Sequence, residues 1–554
     1  MTAELKAFTF RDLQEAVKKG AALRARIRLQ ADGGDGGKVF PPTYAGGVYA
    51  VEDRRIDGRV VRCVLLDSVQ SQANRMEEAI QDAFLPNWRE LPYIGDEGNW
   101  AELPCDLPVL AVRVGSHDWV TSLTAPHRVH DAILRDSEVE ETMEDRTDNS
   151  KTDEQGKKRQ RKRFRESDIG QALVKARVWN ATAFYQYCPT ALLFGTWDST
   201  AGEGLDSAKV PRAIVSEIVG VDITPGVRTA SRIDPLGIGA GAATVYRRTD
   251  GDWAAKIKTE NGDDQLIGAA TEDELERDKK GNPKKFGKGK PSDVNHSNVT
   301  PNLPRFERKE INDNDLNRLA DILESNPLEF RCDVRSQDSR LESYSAFRSD
   351  HLRIREGAVK PGGTTMAYAL HTWTLSLTQL RRLRFPRDDQ GKKQADQEAE
   401  AKTAKQHERD EAARTVLATL ALFALALLRE RGYWLRSRCE LIPQMNGEAC
   451  PATLELINVD GKDEKFMIPD VATTRQMLRQ ACEAAGKILN ANSHDSNTAP
   501  EHANAESLPD PGWMRKVIQL KPTEKLAQLV QASDRRMAIE QIDEREAASA
   551  DNQG

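Results

Sequence analysis

VVRCVLLDSVQSQANRMEE, residues 60–78, is the stretch on which the fold turns. Residues 60–66 are apolar at nearly every position, as in a strand covered on both faces of a sheet. Asp67 or Ser68 then offers a helix cap, and Val69, Ala73, Met76, Ile80 and Ala83 recur at helical spacing. A buried strand that passes straight into an amphipathic helix predicts a sheet with helices packed on it. Upstream, Leu23, Ala25, Ile27 and Leu29 alternate with Arg24, Arg26 and Arg28, the period of a strand with one apolar and one arginine face. That face is either a solvated edge or a contact surface for an anion. Residues 31–47, rich in Gly and Pro, read as a loop.

Downstream, residues 109–114 predict a third strand, and Thr124 followed by Pro126 predicts a helix through Leu134. Residues 135–168 hold an acidic run (Glu138, Glu140, Glu141, Glu144, Asp145) and then a basic one (KKRQRKRFR, 157–165). Neither has a core face, so a flexible charged insertion is expected. TALLFG (190–195) reads as a strand before a glycine-rich loop, and AIVSEIVGVDI (213–223) as another strand, with Val215, Val219 and Val221 on one face. Residues 257–310 read as a second insertion carrying Lys279, Lys280, Lys284, Lys285, Lys288 and Lys290. Helical patterns return at 316–323 and 375–383, followed by a charged linker at 388–410. The region 411–554 reads as mostly helical, with helices at 416–428 and near 474–489 and a polar loop at 490–510.

The chain has 554 residues, 38% hydrophobic and 30% charged. This composition excludes collagenous, coiled-coil and disulfide-scaffold classes. The net charge of −7 means that any nucleic-acid surface must come from charge gathered on one face. Residues 1–20 lack the apolar run of a secretory signal, and VLATLALFALALL (416–428) is too short to span a bilayer and is flanked by Arg414, Arg429 and Arg431. A buried helix and no membrane association are expected. The seven cysteines are scattered without a CxxC pair, which fits reduced thiols in a cytoplasmic protein.

Three runs carry candidate chemistry. Ser71, Asn74 and Arg75 lie at i, i+3, i+4 in the first turns of a helix, where free N–H groups and the dipole favour an anion. They form either a phosphate-contacting set or an exposed polar face. In TAPHRVHDA (124–132), His127 and Arg128 stand at another helix start; His127, His130 and Asp131 lack the spacing of a metal site. FGTWDSTAGEG (194–204), followed by Lys209 and Arg212, offers a glycine-rich loop that can approach a sugar–phosphate backbone, with Trp197 as a stacking plane and Ser199 nearby. Trp197 reads equally as core. Ser199 with His127 and Asp198 lacks the G-x-S-x-G elbow of a hydrolase. Gly237, Gly239 and Gly241 do not complete a dinucleotide fingerprint and read as a turn.

LDSVQSQANRMEE (66–78), TAPHRVHDAILRDS (124–137), PTALLFGTWDST (189–200), KVPRAIVSEIVGVDI (209–223) and TASRIDPLGI (229–238), with weaker similarity in TWTLSLTQLRRLRFP (372–386), resemble the backbone subunit of the type I-U (I-G) CRISPR Cascade complex. The resemblance covers roughly residues 20–245. It implies an α+β fold: an RRM-like (ferredoxin-like) palm in parts at 1–134, 169–256 and 311–387, with the insertions as fingers and thumb. It also implies copies that polymerise along the spacer of a CRISPR guide RNA, contact other Cascade subunits (the large and the guide-end-binding subunits) and present the guide to target DNA. No catalytic residue, metal or cofactor is expected. The residues carried as RNA-binding are Arg24, Arg26, Arg28, Ser71, Asn74, Arg75, His127, Arg128, Trp197, Ser199, Lys209 and Arg212, with the six lysines of 279–290 on a nucleic-acid-facing loop. The competing expectations are a metal-dependent RNA nuclease of the RAMP type, using Asp67, Asp198 or Asp234, and a generic RNA-binding scaffold.

Overall fold

In the computed structural model the described residues are 5–44, 48–90, 103–143, 158–198, 209–227, 243–250, 253–258, 264–278, 280–287, 361–386, 396–444, 452–489 and 508–534. The chain divides into two units, one of residues 1–224 with 365–533 and one of residues 225–364 with 534–554.

The first unit is built on a ten-stranded sheet. Its order is Lys6–Ala7, Asp463–Met467, Thr453–Asn458, Gly20–Ala31, Pro361–Ser376, Ile214–Val227, Arg59–Asp67 and Val51–Ile56, with the Tyr433–Arg436/Cys439–Pro443 hairpin paired to Gly20–Ala31. The expected alternation holds in Gly20–Ala31. Leu23, Ala25, Ile27, Leu29 and Ala31 are buried, and Arg24, Arg26 and Arg28 share the other face. The neighbouring strand repeats it, with His371 opposite Ile27 and Trp373 opposite Ala25 on the buried side. Ile214–Val227 carries a register shift between Ile218 and Val219. Val219 and Val221 pack on Cys63, whereas Val215 is 43% exposed.

Arg59–Asp67 passes directly into the helix Val69–Phe84, capped by the Ser68 side chain, as the sequence predicts. Leu377–Arg382 likewise follows Pro361–Ser376. Both helices feed one apolar core with Asp396–Glu430. The apolar run 416–428 of that helix is buried, and the helix packs on Val471–Leu489, Val69–Phe84 and Phe10–Lys19. By length and hydropathy alone 403–430 passes as a membrane span, yet 89% of its apolar window is buried within the chain.

Five expectations are corrected. Residues 135–168 are not a featureless insertion: Ser137–Met143 pairs antiparallel with Lys158–Arg163, with Glu138 opposite Arg163. Oppositely charged runs make a ladder where neither has a core face of its own. Residues 124–134 form no continuous helix but a 3₁₀ turn, Arg128–His130, and a short helix, Ala132–Arg135. Arg128 sits at φ 54°, outside the helical region. Residues 190–195 are a helix, Pro189–Phe194, because Pro189 opens it and Gly195, at φ 82°, ends it. The charged linker is helical from Asp396. The C-terminal region is mixed rather than mostly helical. Thr453–Asn458 joins the large sheet, and Lys516–Pro522 lies parallel to Val109–Val112 in a second, six-stranded sheet that also contains the charged hairpin.

The second unit holds a four-stranded antiparallel sheet, ordered Asp264–Ile267, Trp253–Lys258, Ala243–Arg247 and Lys285–Gly287, over Tyr246, Ala254 and Leu275. The lysine-rich stretch is therefore partly strand. Lys280 and Lys284 are exposed, and Lys284 lies 3.5 Å from Glu276. Lys285 belongs to a strand. Lys279, Lys288 and Lys290 fall outside the described residues, as do Ser199, Asp234, Gly237, Gly239, Gly241 and the helix expected at 316–323.

Candidate nucleic-acid interface

Several of the residues singled out above meet in one cleft of about 760 Å³. Gln70, Ala73 and Asn74 supply one wall from the 69–84 helix. Pro126, His127, Arg128, His130, Ala132 and Arg135 supply a second, and Phe194–Trp197 with Lys209–Arg212 close it. The last two segments are held together by pairing of Thr196 with Val210 and Trp197 with Lys209. Four of the lining residues are arginine or lysine, and none is Asp or Glu.

The acids lie underneath. Glu77 is 1% exposed and receives both arms of Arg128, at 2.7 Å each, while a third Arg128 nitrogen donates to the Gly195 carbonyl at 3.1 Å. This clamp holds Arg128 in its left-handed backbone conformation. Burial pushes the Glu77 carboxyl up to about 7, against the pull of Arg128 and Arg212. Asp198, fully buried, faces Arg135 at 3.1 Å, Arg165 at 3.9 Å and His130 at 4.0 Å. Burial draws His130 down to about 4, opposed by Asp198 and reinforced by Arg135 and Arg165, so its imidazole is neutral near pH 7.

At the rim the pattern reverses. Trp197 is 58% exposed, and the Lys209 ammonium stands 5.7 Å from its ring centroid. Among the described residues Lys209 and Arg212 form no ion pair, although both are exposed. A lone cation costs nothing in water, but two such cations beside an exposed indole make a surface for a phosphate and a stacked ring. Gly195 permits this closure: a Cβ there would stand 2.9 Å from the Arg212 backbone nitrogen.

The structure therefore gathers Asn74, His127, Arg128, Trp197, Lys209 and Arg212. The helix face that meets the cleft is Gln70, Ala73 and Asn74, not Ser71, Asn74 and Arg75. Successive helix positions are 100° apart, so Arg75 turns away and bonds the fully buried Asp67 at 2.9 Å, together with the Leu435 carbonyl. Asp67 is also bound by Gln72 and Arg436, and the network continues through Ser216 and His371 to Tyr433. Burial holds His371 down at about 3.

Arg24, Arg26 and Arg28 do not line the cleft. They stand on the open face of the large sheet, where Arg24 pairs with Glu455 at 2.6 Å and Arg28 lies 4.3 Å from the Tyr368 ring centroid. Sequence reading missed Arg135 and His130 as cleft residues; the only signal was their nearness to His127 and Arg128. Among the described residues no group of three His, Cys, Asp or Glu side chains is placed to hold a metal.

No curated protein matches the chain. Residues 23–225, less than half of its length but including every residue that lines the cleft, match the model of a family described as CRISPR-associated protein GSU0053 (Cas_GSU0053), and the similarity indicates a CRISPR-associated protein.

Proposed function

We propose that the chain is the guide-RNA-binding backbone subunit of a type I-U/I-G Cascade complex, a binding protein and not an enzyme. The observation that carries this reading is the cleft rim, where the exposed Lys209 and Arg212, in no ion pair among the described residues, share the cleft lining with the exposed Trp197. A guide of arbitrary sequence must be held by phosphate, sugar and ring faces, because base edges differ from one guide to the next. In this reading the ten-stranded sheet is the RRM-like palm. Two strand–helix units, Arg59–Asp67 with Val69–Phe84 and Pro361–Ser376 with Leu377–Arg382, supply its layers, and Arg26 and Arg28 extend a basic face across it. The 243–287 sheet and its lysines take the part of a thumb. Of the three aspartates that a nuclease could use, the two among the described residues, Asp67 and Asp198, are fully buried and bound by guanidinium groups. We assign the protein to the cytoplasm, with the other Cascade subunits and guide-paired target DNA as its partners.

The test is the RNA that copurifies with the full chain, followed by titration of that RNA at several salt concentrations. A CRISPR guide is expected, and Lys209→Ala with Arg212→Ala should lower affinity and reduce the salt slope by about two. A folded double variant with an unchanged slope, or a mixed population of cellular RNA, refutes the reading. Cleavage of a complementary RNA in magnesium by the guide-bound protein would favour the nuclease instead.

A further inference from the structure

Among the described residues, His130 Nε2 and Thr196 Oγ1 at the cleft have no hydrogen-bond partner. Their residues are 6% and 8% exposed, and both line the cleft. They are also neighbours, because the Thr196–Trp197 strand packs on the Arg128–His130 turn and Arg128 bonds the Gly195 carbonyl. A buried polar group without a partner is disfavoured, and two on adjoining elements of one cleft call for a partner that reaches both.

The chemistry of that partner follows from the imidazole. Its Nδ1 faces the Asp198 carboxylate at 4.0 Å, and its ring stands at 90° to Phe184, with centroids 5.7 Å apart. The carboxylate favours the proton on Nδ1, which leaves Nε2 a bare acceptor. Thr196 supplies a hydroxyl that can donate. The missing partner must therefore donate to one atom and accept from the other, which a phosphodiester, having no donor, does not do, and which an alcohol does whatever the base beside it. We propose that the cleft recognises the ribose 2′-hydroxyl of the bound strand, with His130 Nε2 accepting from it and Thr196 Oγ1 donating to it, and so distinguishes RNA from DNA. This assignment rests on the proposed binding of guide RNA. Both atoms are covered, so the hydroxyl reaches them with a small shift of the cleft floor. The phosphate on the same nucleotide is left to the rim cations, and the base to Trp197.

The experiment measures binding of the full chain to three strands of one sequence, with ribose, 2′-deoxyribose or 2′-fluororibose throughout. Fluorine preserves the RNA-like sugar pucker but cannot donate. The ribose strand should bind about threefold to tenfold tighter than the fluoro strand, the range of one hydrogen bond. His130→Phe keeps the ring against Phe184, and Thr196→Val keeps the branched shape. Each should bring the ribose-to-fluoro ratio close to one. Equal binding of ribose and fluoro strands by the unaltered protein overturns the proposal without any variant, and so does an unchanged ratio in either folded variant. If none of the strands binds, the guide-binding reading falls as well.

Discussion

Glu77 shows how a single residue can hold a site in tension. Its carboxylate anchors Arg128, yet burial lifts it from an ordinary 4.5 to about 7. The folded chain therefore holds this proton more tightly than the unfolded chain. The resulting stability is fully present below about pH 4.5 and is lost as pH rises through about 7. His130 and His371 act in the opposite sense. Lowered from 6.5 to about 4 and about 3, they contribute stability above pH 6.5 that is lost as pH falls. Because the trends oppose, only a difference measurement isolates Glu77. Relative to Glu77→Gln, the unaltered chain should lose on the order of 3 kcal/mol between pH 4.5 and 7, read by urea unfolding at several pH values. A constant difference would show that Arg128 keeps Glu77 ionised throughout. Gly195 belongs to the same scale. Gly195→Ala forces an alanine to φ 82° and places its Cβ 2.9 Å from the Arg212 nitrogen. The expected cost is about 1–2 kcal/mol of stability together with weaker RNA affinity, since Arg212 must move. Thermal melting and strand binding measured on one preparation check both.

Among the elements, the hairpin of Ser137–Met143 and Lys158–Arg163 most changes what a deletion should do. Ser137 and Glu138 pair with Pro522 and Lys521, Val139 is buried, and Phe164 enters the main core just after the second strand. Removing 135–168 therefore takes away packing and a sheet neighbour, and the shortened chain should melt well below the parent. Phe164→Ala alone should cost about 3 kcal/mol or more, as truncation of a fully buried aromatic does. Glu138→Ala, which touches only the ladder, should cost under about 1 kcal/mol. Urea unfolding of the two variants side by side decides the matter, and equal small effects would return the segment to a loose appendage.

On the scale of the whole molecule, a chain with net charge −7 carries exposed cations at the cleft rim, Lys209 and Arg212, and on one sheet face, Arg26 and Arg28. Copies carrying such faces repel one another until a polyanion lies between them. The expected state is a monomer or loose mixture without RNA, and an elongated particle of several copies with a CRISPR guide. A contact between unlike patches, repeated, does not close into a dimer. Light scattering with and without guide reads the outcome, and a stable closed dimer indifferent to RNA would count against a Cascade backbone.

The sequence by itself determined the features that depend on short-range pattern. These are the strand at 60–66 running into its capped helix, the two faces of Gly20–Ala31, the buried apolar helix at 416–428 and the motifs that later met in the cleft. Each is legible because periodicity and capping act between residues a few positions apart. Tertiary structure decided the rest. Arg75 reads as an anion contact from its helix position, but the hairpin at Tyr433–Arg436 delivers carbonyls that turn it inward to Asp67. The acidic and basic runs of 135–168 lack a core face until the distant strand Lys516–Pro522 gives them an edge to join. The 411–554 strands read as tail until Gly20–Ala31 and Val109–Val112 offer them partners. His130 shows nothing in sequence beyond its spacing to His127. Its unmet hydrogen bond exists only because Asp198, Thr196 and Phe184, far along the chain, surround it. A strand edge or a buried polar group acquires its partner from whatever the fold brings near, and that cannot be read from neighbours in the chain.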